Sequence, residues 1–158
     1  MRISGIITLL AALLIMLSCG GDEYLFDWQE QLAKDLEAID KYLEENNIEA
    51  KKSSSGLRYV IHDYGTGSAP VYGQSIIVHY EGRLIDGTVF DSSYERGEPS
   101  EFRVGTLIQG FNEGLSYIGE GGSISLYMPS RIGYGTSSTD NIPENSILFF
   151  DVELLNIK

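Results

Sequence analysis

The chain has 158 residues, which is enough for one domain with a substantial buried core and a short extension. Its formal net charge of −12 argues against binding to nucleic acid or to an anionic lipid surface, because both carry the same sign of charge. With one cysteine and two histidines, and no spacing typical of a zinc site, we expect neither a metal ion nor another cofactor.

Residues 1–18 predict an export signal at the N-terminus. The apolar run at residues 3–17 is shorter than the ~20 residues of a membrane-spanning helix. The segment "MLSCGGDE" resembles the lipobox of bacterial lipoproteins, although Met16 and Leu17 differ from the residues usual there. The resemblance implies that Cys19 is lipidated and that the protein is exported and lipid-anchored in the bacterial cell envelope. An ordinary signal peptide and an uncleaved anchor are the alternatives.

Residues 19–52 predict an acidic helical segment, since residues 22–52 contain neither glycine nor proline. Apolar side chains recur there at steps of three or four along one helical face: Leu25, Trp28, Leu32, Leu36, Ile39 and Leu43. The pair Asn46-Asn47 predicts the end of the helix, and "KKSSSG" at 51–56 predicts a flexible linker. The apolar face must be buried, either by packing back on the rest of the chain as a spacer or by pairing with a second copy in a homodimer.

Residues 53–158 predict a domain of short strands separated by turns. Strands are predicted at 57–64, 75–84, 101–104, 123–128 and 147–157. The pair Asp86-Gly87 lies between two apolar runs and predicts a hairpin turn with a positive φ. Gln109–Ile118 is the one helical candidate, and its two glycines mean that tertiary packing must stabilise it. An antiparallel sheet with this short helix on its apolar face, preceded by the N-terminal amphipathic helix, is an α+β fold.

The candidate site is aromatic rather than nucleophilic. The sequence contains no Gly-x-Ser-x-Gly segment and no phosphate-binding loop, and two histidines on exposed-looking strand positions make a Ser-His-Asp triad a poor candidate. What remains is a set of aromatic residues, with Asp91 as the nearest acid in sequence: Tyr80, Phe90, Phe102, Phe111, Tyr134 and Phe150. By pattern alone, aromatic residues at strand spacing indicate a buried core more often than a pocket.

Four segments favour a pocket, because together they resemble a known family. "VHYEGRLIDGTVFDSS", "LIQGFNEGL", "MPSRIGYG" and "ILFFDVELL" are similar to the successive signatures of the FK506-binding class of peptidyl-prolyl cis-trans isomerases, in order and at the family's spacing over roughly residues 55–158. The resemblance implies an antiparallel sheet wrapped around one short helix. It also implies an enzyme that rotates Xaa-Pro bonds in exported, proline-containing polypeptides and that binds macrolides such as FK506.

The resemblance also implies roles for individual residues. It places five residues in the catalytic set: Tyr80, Phe90, Asp91, Tyr134 and Phe150. It places five more in substrate binding: Phe102, Leu107, Ile108, Phe111 and Ile142. Phe111 stands where the family has a tryptophan, and Ser100 stands where its eukaryotic members have an aromatic wall. We therefore expect a cavity that is open on one side and that binds macrolides more weakly.

Rotation about a prolyl bond requires no nucleophile. An apolar, water-poor cavity favours the twisted amide, which has lost its charge separation, over the planar ground state. The competing interpretation belongs to a different functional class, a rotamase-poor chaperone or an interaction module of a surface lipoprotein.

Overall fold

The structure, a computed structural model, describes residues 22–158. The predicted export signal and Cys19 lie outside the described residues. Within residues 22–158, no helix is both long enough and apolar enough to cross a membrane.

The described chain forms an antiparallel sheet with helices on both of its faces. The helices are α1 (Asp22–Glu45), α2 (Ser93–Arg96) and α3 (Gln109–Leu115), with a 3-10 turn at Ser130–Ile132. The strands are β1 (Lys51–Lys52), β2 (Arg58–Asp63), β3 (Ser75–Leu84), β4 (Val89–Ser92), β5 (Ser100–Arg103), β6 (Ser123–Met128) and β7 (Leu148–Ile157). The predicted strands 75–84 and 123–128 are confirmed residue for residue, and the other three agree to within one residue at each end.

Strand β3 pairs with three other strands, β4, β5 and β7. Neighbouring strands follow the order β1-β2-β6-β7-β3-β4, and β5 also pairs with β3, all in antiparallel register. The alternation predicted for β3 is confirmed, since Ile76, Val78 and Tyr80 are at most 5 % exposed and belong to one apolar core. β3 therefore directs every second side chain into the core, including Tyr80 near its middle.

Helix α3 packs on the core face of the sheet through its glycines. A Cβ atom on Gly110 would lie 2.6 Å from Met128 Sδ, and one on Gly114 would lie 2.5 Å from Leu126 Cδ2. Any side chain at either position would therefore separate the helix from β6. The glycines weaken the helix but allow this close approach, and α3 ends at Leu115 rather than at the predicted Ile118.

Helix α1 packs on the opposite face of the sheet. Ile39 and Leu43 form a second apolar cluster with Tyr127, Ile147 and Phe149, which are the side chains of β6, β7 and the residue before it that point away from the main core. In the structure, the apolar face of α1 packs back on the domain, which is one of the two predicted alternatives. Burial on both faces explains why "ILFF" is apolar without alternation.

The predicted flexible linker at 51–56 is wrong. Strand β1 pairs with β2, and the turn that joins them includes Gly56 at a φ of 98°. A salt bridge across this hairpin joins it to α1, because Arg58 Nε donates to Asp40 Oδ1 at 2.8 Å and Lys52 Nζ donates to Asp40 Oδ2 at 2.9 Å. Arg58 is only 7 % exposed, and its bonds to Asp40 join the hairpin to α1.

Candidate functional site

The hairpin of β3 and β4 brings the first site residues together. Gly87 adopts a φ of 89°, which confirms the turn predicted at Asp86-Gly87. In the pairing of β4 with β3, Asp91 is opposite Gly82 and Val89 is opposite Arg83, so Phe90 is the extra residue of a β-bulge. The bulge places Phe90 over Gly82, where a Cβ atom would lie only 2.6 Å from the ring.

A cavity of about 250 Å³ opens between this hairpin, helix α3 and the segment before β7. Its lining is largely aromatic and consists of Tyr80, Phe90, Asp91, Phe102, Thr106, Leu107, Ile108, Phe111, Tyr134 and Phe150. Nine of these are residues for which the resemblance implies a role, and Thr106 is the addition. Ile142, which the resemblance also implies, is buried in the core at 5 % exposure and is not among the lining residues.

The aromatic walls contact one another edge to face. Phe111 lies 5.3 Å from Phe150 with an interplanar angle of 86°, and Phe90 lies 5.5 Å from Phe150 at 81°. Tyr80 meets Phe111 at 6.1 Å and 90°. Edge-to-face contacts stabilise such rings by about 0.5–1.5 kcal/mol per pair beyond their burial, so the walls of the cavity stabilise one another.

One polar cluster interrupts the apolar lining. The Tyr80 hydroxyl and the Arg96 Nη1 group each donate a hydrogen bond to the carboxylate of Asp91. Arg96 Nη2 also donates to the Tyr80 hydroxyl at 3.1 Å and to Ser100 Oγ at 2.8 Å. Ser100, the position of the missing aromatic wall, therefore accepts a hydrogen bond from Arg96. Arg96 was not predicted as a site residue, because it carries no local pattern in the sequence and the structure places it at the end of the four-residue helix α2.

The hydroxyl of Tyr80 is a hydrogen-bond donor at neutral pH. Burial raises the pKa of the Tyr80 phenol above its usual 10, and the hydrogen bond to Asp91 raises it further, while Arg96 lowers it. Asp91 therefore accepts from two donors, the neutral phenol hydroxyl of Tyr80 and the guanidinium of Arg96. These contacts fix the carboxylate at the edge of an otherwise apolar space.

The side chain of Asn112 secures the rim that contains Leu107 and Ile108. Asn112 Nδ2 donates to the Leu107 carbonyl at 2.6 Å and to the Ile108 carbonyl at 3.2 Å, and its Oδ1 accepts from the Gly105 amide at 2.8 Å. Asn112 lies in α3, so these bonds join the rim to the helix that supplies Phe111. Asn112 was not predicted as a site residue, because its hydrogen-bond partners come near it only once the loop is folded.

Tyr134 reaches the cavity from a compact turn. Its side chain is 39 % exposed, at the mouth of the cavity. The carbonyl of Ser130 accepts from the Gly133 amide at 3.0 Å and from the Gly135 amide at 2.9 Å, so both neighbours of Tyr134 are bonded to a single atom.

Known proteins with similar sequences agree with the family resemblance of the four motifs. The sequence profile of a family described as FKBP-type peptidyl-prolyl cis-trans isomerase matches residues 67–155. A protein of Escherichia coli strain K12, named FKBP-type peptidyl-prolyl cis-trans isomerase FkpA, is 44% identical over 132 residues, which cover 84% of this chain and 48% of the relative. A protein of the same name from Buchnera aphidicola subsp. Schizaphis graminum is 50% identical over 108 residues, or 68% of this chain and 43% of the relative. The chain therefore spans about half the length of these curated relatives.

Solved structures agree with the observed fold. The crystal structure of FkpA from Escherichia coli is similar with a TM-score of 0.73 at 42% identity, covering 87% of this chain and 63% of that one. The crystal structure of AtFKBP13 is similar with a TM-score of 0.63 at 38% identity, covering 70% of this chain and 99% of that one. The predicted α+β fold is thus confirmed by comparison as well as by topology.

Proposed function

This chain belongs to the FKBP-type peptidyl-prolyl cis-trans isomerase family, as its four motifs predict, and from that membership we propose that it catalyses rotation about Xaa-Pro bonds. We assign the activity to residues 53–158 and its substrates to proline-containing polypeptides. The observation that supports this most is the aromatic cavity itself, with its single fixed carboxylate. The printed names of the relatives describe the same activity.

The proposed mechanism is desolvation of the prolyl amide. Rotation opposes amide resonance, which contributes a barrier of ~18–20 kcal/mol in water. In the twisted transition state the amide has lost charge separation, so an apolar cavity stabilises it relative to the planar ground state. Phe90, Phe111 and Phe150 would surround the prolyl ring, while Asp91 and Tyr134 would orient the adjoining peptide. An acceleration of about 10³-fold requires only ~4 kcal/mol from these effects.

Relaxation of a short Xaa-Pro peptide from cis to trans tests the proposal. The wild-type protein is expected to accelerate relaxation, and Phe90→Ala is expected to reduce kcat/KM by about 10-fold or more, because a ring wall is lost. Val89→Ala is the matched control, since Val89 is on the same strand, is exposed and does not line the cavity. A folded wild-type protein that leaves the relaxation rate unchanged would refute the activity and favour the interaction module.

We also propose that macrolides such as FK506 bind in this cavity, more weakly than in relatives with a complete aromatic wall. Ser100 supplies a hydroxyl to Arg96 where such a wall would otherwise limit the cavity. Ser100→Phe is expected to raise macrolide affinity by about 2- to 10-fold, the equivalent of one added aromatic contact. Unchanged affinity in this variant would show that the wall is not the limiting feature.

For the segment before the domain, we propose export and lipid attachment at Cys19. The support is the lipobox-like "MLSCGGDE" and the short apolar run before it. Full-length protein expressed in a bacterial host is expected in the membrane fraction, and Cys19→Ala is expected to shift it to the soluble envelope fraction. Equal partitioning of the two proteins would contradict lipidation.

We further propose that the part of the acidic segment that the structure describes, residues 22–52, belongs to the folded monomer rather than to a dimerisation arm. Ile39 and Leu43 are already buried against the sheet. A solution mass of one chain is expected across a wide concentration range, and a concentration-dependent dimer mass would contradict this assignment.

A further inference from the structure

Helix α1 carries a buried carboxylate in the middle of its apolar face. Asp35 is 3 % exposed, and its Oδ2 accepts from the Ser130 amide at 2.8 Å and from Ser130 Oγ at 2.6 Å. Its Oδ1 accepts from Gln31 Nε2 at 2.7 Å. A buried carboxylate is costly unless it is fully hydrogen-bonded, and an apolar residue would pack at this position without that cost. Packing of the helix therefore does not explain why residue 35 is an aspartate.

Ser130 links this carboxylate to the cavity. Its amide and hydroxyl bond to Asp35, and its carbonyl accepts from the amides of Gly133 and Gly135, which flank Tyr134. Ser130 is 1 % exposed, so it has no alternative partner in solvent. The position of Tyr134 at the mouth of the cavity is thus connected to α1 through one residue.

A second contact between α1 and this turn lies at its far end. Trp28 Cη2 lies 3.3 Å from the point where a Cβ atom of residue 135 would be, and Gly135 has a φ of 59°. The Gly135 carbonyl also accepts from the Asn145 amide at 2.7 Å. The helix therefore contacts the turn both before and after Tyr134.

We propose that α1 is a positioning element of the active site, in which Asp35 fixes the orientation of Tyr134 through Ser130. The proposal rests on the isomerase activity proposed above. Asp35 is a positioning residue, because it does not line the cavity and is separated from it by the turn. Its expected effect is on the use of peptide substrate, beyond any effect on folding.

A double-mutant cycle on kcat/KM tests this link. Asp35→Ala is expected to lower kcat/KM by about tenfold, because misplacing a substrate-orienting group by about 1 Å has effects of this order or larger. In a Tyr134→Ala background the same substitution is expected to change kcat/KM by less than about twofold, since coupled residues give non-additive effects. Asp35→Asn retains an oxygen acceptor for Ser130 and is expected to have most of the wild-type kcat/KM. This variant still tests the link if Asp35→Ala does not fold.

The matched control is Ile39→Ala. Ile39 lies one turn further along the same helix, is fully buried and packs on the sheet rather than on the turn. It is expected to lower stability while leaving kcat/KM of the folded protein within about twofold, because the bonds to Ser130 are intact. Additive effects of Asp35→Ala and Tyr134→Ala, or an equal loss in Ile39→Ala, would overturn the proposal while leaving the isomerase activity intact. Absence of activity in the wild type would instead refute the proposed function on which this inference depends.

Trp28 gives a spectroscopic readout that a purely structural helix would not produce. It is the only tryptophan in the chain, so its emission reports the contact with Gly135. Saturating the wild-type protein with the assay peptide is expected to shift this emission, and Asp35→Ala is expected to reduce the shift. Unchanged emission during binding of a peptide that the protein turns over would count against coupling of the turn to α1.

Discussion

Gly82 is the position at which a single methyl group should damage the cavity most directly. A Cβ atom there would lie 2.6 Å from Cε2 and Cζ of Phe90 and 2.8 Å from Cε1 of Phe150. Carbon atoms in contact are normally about 3.5–4.0 Å apart, so in Gly82→Ala both rings must move by about 1 Å. The substitution therefore displaces two walls of the cavity directly.

The cost in stability is expected to be small and the cost in activity large. Overpacking destabilises by about 1–3 kcal/mol. Replacing glycine in a strand recovers about 0.5–1 kcal/mol. For a chain of this length, the net change of about 0–2.5 kcal/mol corresponds to a Tm lower by at most about 10 °C. Ring displacement of this size is expected to reduce kcat/KM by about 10- to 100-fold.

The assay is peptide relaxation at a temperature where both proteins are folded by circular dichroism. Gly87→Ala is the matched control in the same hairpin: its methyl would meet nothing within 4 Å, but its φ of 89° is unfavourable for alanine. That strain costs about 1–2 kcal/mol without displacing a ring. If Gly82→Ala and Gly87→Ala retain the same kcat/KM, the contact of Gly82 with the two rings does not determine the shape of the cavity.

Two further predictions concern the polar contacts. The hydrogen bond from Arg58 is the main cause that lowers the pKa of Asp40 from 3.8 to about 2. Its stabilisation is therefore complete above about pH 4 and is lost as the pH falls through about 2. The Asp40 side chain is 38% exposed, so solvent screens part of this effect. Asp40→Asn is expected to lower the free energy of unfolding in urea by about 1 kcal/mol at pH 7 and by less at pH 2.5. Glu37→Gln, at an exposed position of the same helix, is expected to show no such dependence on pH. Tyr80→Phe removes the donor to Asp91 and is expected to lower kcat/KM by about 2- to 10-fold. Since burial raises the pKa of Tyr80 above 10, the wild-type rate should show no loss from phenol ionisation between pH 7 and 9, and a decline there that is absent from Tyr80→Phe would contradict this.

Local sequence signals predicted most of the strands and the helix of the domain. Strand alternation depends only on residues two apart, so the inward side of β3 could be read from Ile76, Val78 and Tyr80. A tight turn depends on adjacent residues, so Asp86-Gly87 identified the hairpin. The family resemblance then implied nine of the ten residues that line the cavity, because the family's motifs occur in register.

The parts that the sequence did not predict depend on partners far along the chain. No local pattern in the sequence marks Arg96, Asn112 or Thr106. Arg96 bonds to the carboxylate of Asp91, Asn112 bonds to two backbone carbonyls, and Thr106 lines the cavity. Folding of the loops brings each of them to these partners. The short strand β1 depends on its pairing with β2 and on the nearby bond between Arg58 and Asp40. Contacts between residues far apart along the chain leave no periodic pattern in the sequence.

The sequence by itself determined five of the seven strands and the helices α1 and α3, which of their sides are apolar, and to which family the domain belongs. Only the tertiary structure decided where α1 packs, since an amphipathic helix specifies that its apolar face is buried but not against what. The hydrogen bond between Asp35 and Ser130 joins residues that are 95 positions apart in the sequence. The two residues come within bonding distance only when α1 has packed on the folded sheet. The same docking places α1 against the turn that carries Tyr134.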